Sequence, residues 1–319
     1  MYTDLHTDFI LTPIRTILEQ GINATQSLSS GIDSFPVSEY MLQSLFLRMT
    51  GASEQKIKCI FWQMATDDYQ YRYKYLNYQG LGECSTYSSK NIAFKDLVAQ
   101  IKKMSPEFEI HSIWDDYKYD EATINEEHLT WEEKVRTSRL KQIESIKEKR
   151  IQNGHPMTAE EVTKMTAGIM NKAFKENDFQ THLSANKRKA RISQLLDELF
   201  QLFSYSNISV WRSKDLLCYN ERCHAIIRGC DVAEKSKDDC NLLSGGLVGL
   251  YDSLVYSHRN RTAHNTVSYQ QNLPSLDTMA DKNYYLQNYF LRFAIILVID
   301  EVFVRLYAKY IDIVKNKLI

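Results

Sequence analysis

Hydrophobic residues recur at three- and four-residue steps along most of this chain, a spacing that predicts helices rather than strands. One such stripe near the N-terminus consists of Leu5, Phe9, Ile10, Ile14, Ile17 and Leu18. The stripe stops before Gly21, and residues 23–36 are rich in serine and glycine, which predicts a loop. We predict further helices from about Ser38 to Gly51 and from an N-cap at Ser53.

The middle of the chain has a different pattern. Residues 131–150 are charged almost all round, which is typical of a helix that is solvated on most of its surface. Residues 153–156 (Asn-Gly-His-Pro) break this helix, and Thr158 with Glu161 forms the capping-box pattern that begins another. We therefore predict a helical hairpin that protrudes from the rest of the protein.

The C-terminal third has longer apolar stretches that again follow a helical period. The helices that we predict there cover about 190–204, 213–228, 242–257 and 284–315. The expected fold is all-α, with an antiparallel helical bundle at the C-terminus and additional N-terminal helices. We predict three regions: an N-terminal helical region 1–128, the charged hairpin 129–186, and a helical domain 187–319.

Composition supports a helical protein and indicates which cellular compartment and which binding partners to expect. Only 11 glycines and 5 prolines occur in 319 residues, which argues against a sandwich or barrel. Asp300 and Glu301 interrupt the longest apolar run, so we predict no membrane span. The N-terminus lacks the pattern of a secretory signal, so we expect a cytoplasmic protein with reduced thiols. The net charge of −1 requires any nucleic-acid contact to come from a local patch.

Four cysteines crowd into a short segment: Cys218, Cys223, Cys230 and Cys240. They either form a structural zinc site or are buried free thiols. No Cys-x2-Cys pair is present, so we favour free thiols and predict neither a metal nor a cofactor.

Two other segments have features of RNA contacts. Tyrosines alternate with Arg72 and Lys74 between Tyr69 and Tyr78, and aromatic rings beside cations can stack on unpaired bases. The alternative, which we favour, is a helix whose tyrosines cover the core. The second segment is a basic cluster, which either binds phosphates or is a solvated helix start. Its members are Lys187, Arg188, Lys189 and Arg191.

The candidate site is the polar segment 256–265, placed between two apolar stretches. It contains Arg259, Asn260 and His264, and buried charge at such a place needs a reason. Spacing alone is weak evidence, because Arg150 and His155, which belong to a charged helix, also have four residues between them. The apolar context and Asn260 distinguish the Arg259 motif.

This chemistry suits RNA cleavage without a metal. Histidine has an ordinary pKa near ~6.5 and can take the proton of a 2′-hydroxyl. Arginine has a permanent charge and a fork of donors that matches phosphate. Attack by the 2′-oxygen would leave a 2′,3′-cyclic phosphate and a 5′-hydroxyl. His258 is assigned no role.

Arg259-Asn260-x-x-x-His264 resembles the R-x4–6-H signature of the HEPN family, whose members are often metal-independent ribonucleases. The resemblance covers about the last ~130 residues. It implies a homodimer in which Arg259, Asn260 and His264 of both chains form one composite site. Arg261 and Asn265 lie beside the motif, and we predict that they help to bind RNA. The family's usual setting implies a toxin or anti-phage defence effector, with an antitoxin or regulatory protein as a further partner.

Some HEPN proteins are catalytically silent. The alternative function is therefore a non-catalytic helical scaffold that binds RNA or a protein. In that case Arg259 would neutralise the end of the preceding helix and His264 would bond a backbone carbonyl.

Overall fold

The computed structural model describes residues 5–25, 35–77, 84–204, 227, 232–235, 240–243, 245–264 and 288–317. The fold is all-α, as the periodicity predicted. Contacts between residues divide the chain into two compact units, one made of 1–113 with 191–319 and the other of 114–190. The N-terminal and C-terminal regions, predicted as separate parts, thus belong to one unit.

The first unit is built mainly from helices that lie far apart in the sequence. Before the second unit, the helices are α1 (Leu5–Leu11), α2 (Arg15–Ala24), α3 (Phe35–Asp67), α4 (Tyr69–Leu76) and α5 (Tyr87–Met104). A 3-10 turn, Ile110–Trp114, follows them. After the second unit come the strands β1 (Val232–Lys235) and β2 (Cys240–Leu243) and the helices α9 (Gly245–Leu250), α10 (Ser257–His264) and α11 (Tyr289–Lys317).

The second unit contains the predicted hairpin. Its helices are α6 (Glu121–Gln152), α7 (Ala159–Met170) and the first part of α8 (Glu176–Ser204). The capping box at Thr158 and Glu161 is confirmed, and Gly154 takes the positive φ of 75° that the turn requires. Trp131, Phe179 and Leu183 form a small apolar core of this unit.

Two predicted helix ends are wrong. Gly21 and Gly51 lie inside α2 and α3, so the helices predicted around Gly51 are one helix. At Gly21 the reason is packing, since an added Cβ would stand only 2.1 Å from a Leu45 side-chain carbon. The glycine lets α2 approach α3 closely, which a local pattern cannot reveal.

The segment predicted as a helix from residue 242 begins instead with a strand. β1 and β2 pair as an antiparallel hairpin, with Val232 opposite Leu243. The Asn91 side chain on α5 bonds this hairpin twice, accepting from Leu242 N at 2.9 Å and donating to Asn241 Oδ1 at 3.0 Å. The predicted helix 213–228 lies outside the described residues, apart from residue 227.

The core of the first unit surrounds α11, which contacts α1, α3 and α5. Asp300 on this helix is 4% exposed, and its carboxylate accepts from Lys56 Nζ at 2.6 Å and from Ile14 N at 2.7 Å. Glu301 binds Arg191 and Arg305 at 2.9 and 2.7 Å. The acidic residues that interrupt the apolar run therefore have internal partners.

We expect Lys56→Met to destabilise the first unit by about 3–5 kcal/mol, because it leaves the Asp300 carboxylate buried and without its cation. Lys103→Met is the matched control: Lys103 pairs with Asp68 at 2.7 Å but is 52% exposed. The loss of unfolding free energy in Lys103→Met should stay within about 1 kcal/mol. Urea unfolding of both variants measures the difference, and equal losses would contradict the role given to the buried pair.

Candidate functional site

The predicted motif lies inside a helix rather than between two helices. Residues 245–264 run without interruption as α9, a π-helical segment Tyr251–Tyr256, and α10. Arg292 of α11, 4% exposed, donates its Nε to the carbonyl of Leu254 at 3.1 Å. A π-helical segment changes the direction of the residues that follow it, and such segments are frequent at functional sites. This one ends directly before α10, which bears the motif.

Arg259 is partly buried and has two partners. Its Nη2 lies 3.0 Å from Oε1 of Glu54 on α3, as an ion pair without the alignment of a hydrogen bond. Its Nη1 donates to Oδ1 of Asn260 at 3.0 Å. The structure therefore brings Arg259 and Asn260 together, and it adds Glu54, which no sequence signal near the motif indicates.

His264 is the last residue of α10 and is exposed. Five helical residues rotate by about 140°, so Arg259 and His264 leave different faces of the helix. Asn260 and Arg261, four and three residues before His264, share its face. A phosphate in contact with His264 is therefore closer to the Arg261 side of the helix than to the Arg259 side. Asn265 lies outside the described residues.

His258 was assigned no role, yet it is the best-connected residue of α10. Arg261 Nη2 lies 3.0 Å from its Nδ1, and its Nε2 lies 3.3 Å from the Tyr289 hydroxyl. Tyr289 in turn donates to Oε1 of Glu39 at 3.2 Å. Since an arginine only donates, Nδ1 accepts and the neutral ring has its proton on Nε2, facing Tyr289.

Partial burial and two neighbouring arginines hold His258 in this neutral form. Loss of solvation, followed by repulsion from Arg292 and Arg261, lowers the pKa of His258 from 6.5 to about 2. The ring also packs edge-on against Phe46, with 5.0 Å between centroids. His258 thus fixes α10 against α3 and α11, and it positions Arg261 rather than moving protons near neutral pH.

A polar cavity adjoins Arg259. Beside Arg259 and Glu54 it is lined by Lys90, Ser85 and Tyr251, with Val255, Ile296 and Ile299 as its apolar wall. Lys90 is 2% exposed and donates its Nζ to the carbonyl of Cys84 at 2.6 Å. Loss of solvation lowers the pKa of Lys90 to about 8. Lys90 belongs to α5, some 170 positions before the motif, so sequence spacing could not reveal it.

The other predicted RNA-binding cations are not arranged as one exposed cluster. Arg191 is paired with Glu301 and Glu198, and Lys187 lies 3.9 Å from Asp115. Arg188 is 6% exposed, whereas Lys189 is exposed. RNA binding at this segment stays a prediction, with Lys189 as its accessible member.

The tyrosine run divides between core and surface. Tyr71 is buried and donates to Oδ2 of Asp96 at 2.8 Å, and Tyr75 packs against Phe61. Tyr69 and Tyr73, one turn apart on α4, are 78% and 70% exposed. The core-covering interpretation therefore holds for part of the run only, and Tyr78 lies outside the described residues.

The cysteine segment falls mostly outside the described residues, which include Cys240 but not Cys218, Cys223 or Cys230. Within the described ranges no three His, Cys, Asp or Glu side chains are grouped as a metal site. Of the helices in those same ranges, none has the length and apolar character needed to cross a bilayer.

Comparisons with protein-family models, with curated proteins and with solved structures found no match for this chain.

We expect the low pKa of His258 to make the protein less stable in acid. An unfolded histidine takes a proton near pH 6.5 that the folded ring refuses until about pH 2. Stability should therefore fall as the pH drops below about 6.5, by up to about 2 kcal/mol between pH 7 and 5. Urea unfolding across this range measures the loss.

His258→Gln should remove that part of the pH dependence. His264→Gln is the matched control, because its ring is exposed on the same helix, and it should keep the wild-type slope. An unchanged slope in His258→Gln would refute the assignment.

Proposed function

We propose that this protein is a metal-independent endoribonuclease of HEPN type that works as a homodimer. The observation that supports it best is the continuous helix 245–264, whose π-helical segment leads into the motif and whose last residue is an exposed histidine. RNA can contact an exposed histidine such as His264, whereas the ring of His258 is partly buried against Phe46 and Tyr289. Single-stranded or looped RNA is the proposed substrate.

Arg259 and His264 leave different faces of α10, which favours a composite site formed by two protomers. With the two side chains on different faces of α10, one copy of the helix is poorly placed to hold both on the same phosphate. A two-fold axis beside α10 would bring His264 of one protomer opposite the arginines of its partner. Proximity of these groups is what a cleavage site requires.

In the proposed reaction His264 accepts the proton of the 2′-hydroxyl. The 2′-oxygen attacks the adjacent phosphorus, the bond to the 5′-oxygen breaks, and that oxygen takes a proton from water. His264 then returns its own proton to the solvent. Arg259 or Arg261 stabilises the charge that develops on the phosphate oxygens. Asn260, held by Arg259 at 3.0 Å, orients the arginine. A toxin or defence role, with a restraining partner, is part of this proposal.

His264→Ala should abolish RNA cleavage in the presence of EDTA, because general-base catalysis contributes about 10²–10⁴-fold and α10 has no other histidine or carboxylate on that face. The measurement is gel analysis of total RNA, with detection of 2′,3′-cyclic phosphate ends. His155→Ala is the control, because the Arg150–His155 pair has the same spacing. Equal cleavage by wild type and His264→Ala would contradict the proposal.

The composite site has its own test. Arg259→Ala and His264→Ala protein, each inactive alone, should regain cleavage when mixed, since about half of the dimers then join an intact arginine to an intact histidine. Failure to regain activity, with subunit exchange verified by mass, would place Arg259 and His264 of one chain in the same site.

A second candidate, RNA binding without catalysis, is favoured by the exposed pair Tyr69 and Tyr73. These rings stand one turn apart on α4, which suits stacking on unpaired bases. Under this function the double variant Tyr69→Ala/Tyr73→Ala should bind single-stranded RNA at least about tenfold more weakly. Tyr40→Ala, 69% exposed on α3, is the control. Fluorescence anisotropy measures the affinity, and unchanged binding would reject this candidate.

A further inference from the structure

The polar cavity beside Arg259 has hydrogen-bond donors that the described residues do not fully use. Lys90 Nζ uses one of its three N–H groups on the Cys84 carbonyl. Ser85 lines the cavity and is 5% exposed, and its Oγ has no hydrogen-bond partner among the described residues. The nearby Tyr251 hydroxyl donates to the Ser85 carbonyl at 2.5 Å and not to this Oγ. A buried hydroxyl without a partner is costly and indicates a missing acceptor.

The charges of the cavity also favour an anion. Lys90 and Arg259 contribute two positive charges, and Glu54 contributes the one carboxylate of the lining. Val255, Ile296 and Ile299 form an apolar wall beside these charged groups, and charge interactions are stronger beside apolar atoms than in bulk water. An additional acceptor with a negative charge would therefore be bound favourably.

The Glu54 carboxylate interacts with Arg259 through an ion pair that lacks the geometry of a hydrogen bond. Its Oε1 lies 3.0 Å from Arg259 Nη2 but does not form an aligned hydrogen bond. The Glu54 side chain is 16% exposed, so it borders solvent. The free space of the cavity admits about one water molecule, so a larger anion must take the place of this carboxylate.

We propose that this cavity is a binding site for a phosphate group, which displaces Glu54 from Arg259 and accepts hydrogen bonds from Lys90 and Ser85. A tetrahedral dianion presents oxygens in several directions, so it can accept from Arg259, Lys90 and Ser85 at once. The phosphate belongs either to free inorganic phosphate or to the terminal phosphate of a nucleotide. The inference goes beyond RNA cleavage, because Lys90 and Ser85 have no part in the proposed reaction and the binding holds whether or not RNA is cut.

The depressed pKa of Lys90 is consistent with this site. Burial lowers the pKa of Lys90 to about 8, and Glu54 opposes that shift. A bound dianion would oppose it further and keep the ammonium charged. The cost of burying this lysine is thus reduced when the cavity is filled.

The test is the melting temperature of the whole chain as a function of inorganic phosphate, against sodium chloride at matched ionic strength. Ligand that binds only the folded state raises stability with its concentration and reveals an apparent Kd. We expect phosphate to raise the melting temperature in a saturable way and chloride not to do so. Parallel titrations with uridine 5′-monophosphate and with uridine identify the source of the phosphate.

Two variants should move the apparent Kd in opposite directions. Glu54→Gln removes the competing carboxylate and should bind phosphate about tenfold more tightly. Ser85→Ala removes one donor and should bind about three- to tenfold more weakly. Misfolding cannot produce both results. Lys90→Met should lose saturable binding, while Lys102→Met, exposed on the same helix, should keep the wild-type Kd.

Tighter binding of the monophosphate than of inorganic phosphate would support the site with a nucleotide end as its ligand. Equal binding of the two would support it with free phosphate. Absence of any saturable effect beyond chloride, binding of uridine as strong as that of the monophosphate, or a change in the same direction for Glu54→Gln and Ser85→Ala would overturn the proposal. His264→Ala should bind phosphate like wild type, which separates this outcome from a failure of the nuclease.

Discussion

The first unit depends on a single buried carboxylate. Asp300 binds Lys56 of α3 through one oxygen and the backbone N–H of Ile14, just before α2, through the other. Burial raises the pKa of Asp300 and lowers that of Lys56, which disfavours the charged form of each group. The attraction between the two groups opposes this effect and favours both charges. This contact joins the N-terminal helices to the C-terminal helix. It explains why the two ends of the chain form one unit although 286 positions separate Ile14 from Asp300.

The same helix α11 shapes the candidate site through a second buried charge. Arg292 donates to the Leu254 carbonyl inside the π-helical segment, where the wider helical turn alters the backbone hydrogen bonding. Tyr289, one turn earlier, faces His258. These contacts determine the orientation of α10, so that Arg259 meets Glu54 and His264 is exposed. Because α3, α5 and α11 supply the surroundings of the motif, its chemistry is a property of the whole unit.

The local pattern of residues predicted the helices well. It failed where a contact with a residue far away in the sequence determines the local structure. The capping box at Thr158 was readable because its atoms lie three residues apart. Gly21 and Gly51 looked like helix ends because glycine is a weak helix former, yet tertiary packing outweighs that small propensity. The hairpin at β1 and β2 was missed because Asn91, which bonds β2, is 150 positions away. Likewise, the pairing of Arg191 in the basic cluster with Glu301 could not be read from the sequence, because the two residues are 110 positions apart.

The sequence by itself determined the helical class, the apolar stripes, the charged hairpin and the order Arg259, Asn260, His264 along the chain. Only the tertiary structure decided that this motif lies on a helix and which arginine shares a face with His264. It also decided that His258 is partly buried and neutral, and that Lys90, Ser85 and Glu54 lie beside Arg259. The physical reason is the distance along the chain over which each interaction acts. Helical periodicity and capping depend on neighbours within about four residues. Burial, ion pairing and pKa depend on groups that come close only after the chain has folded.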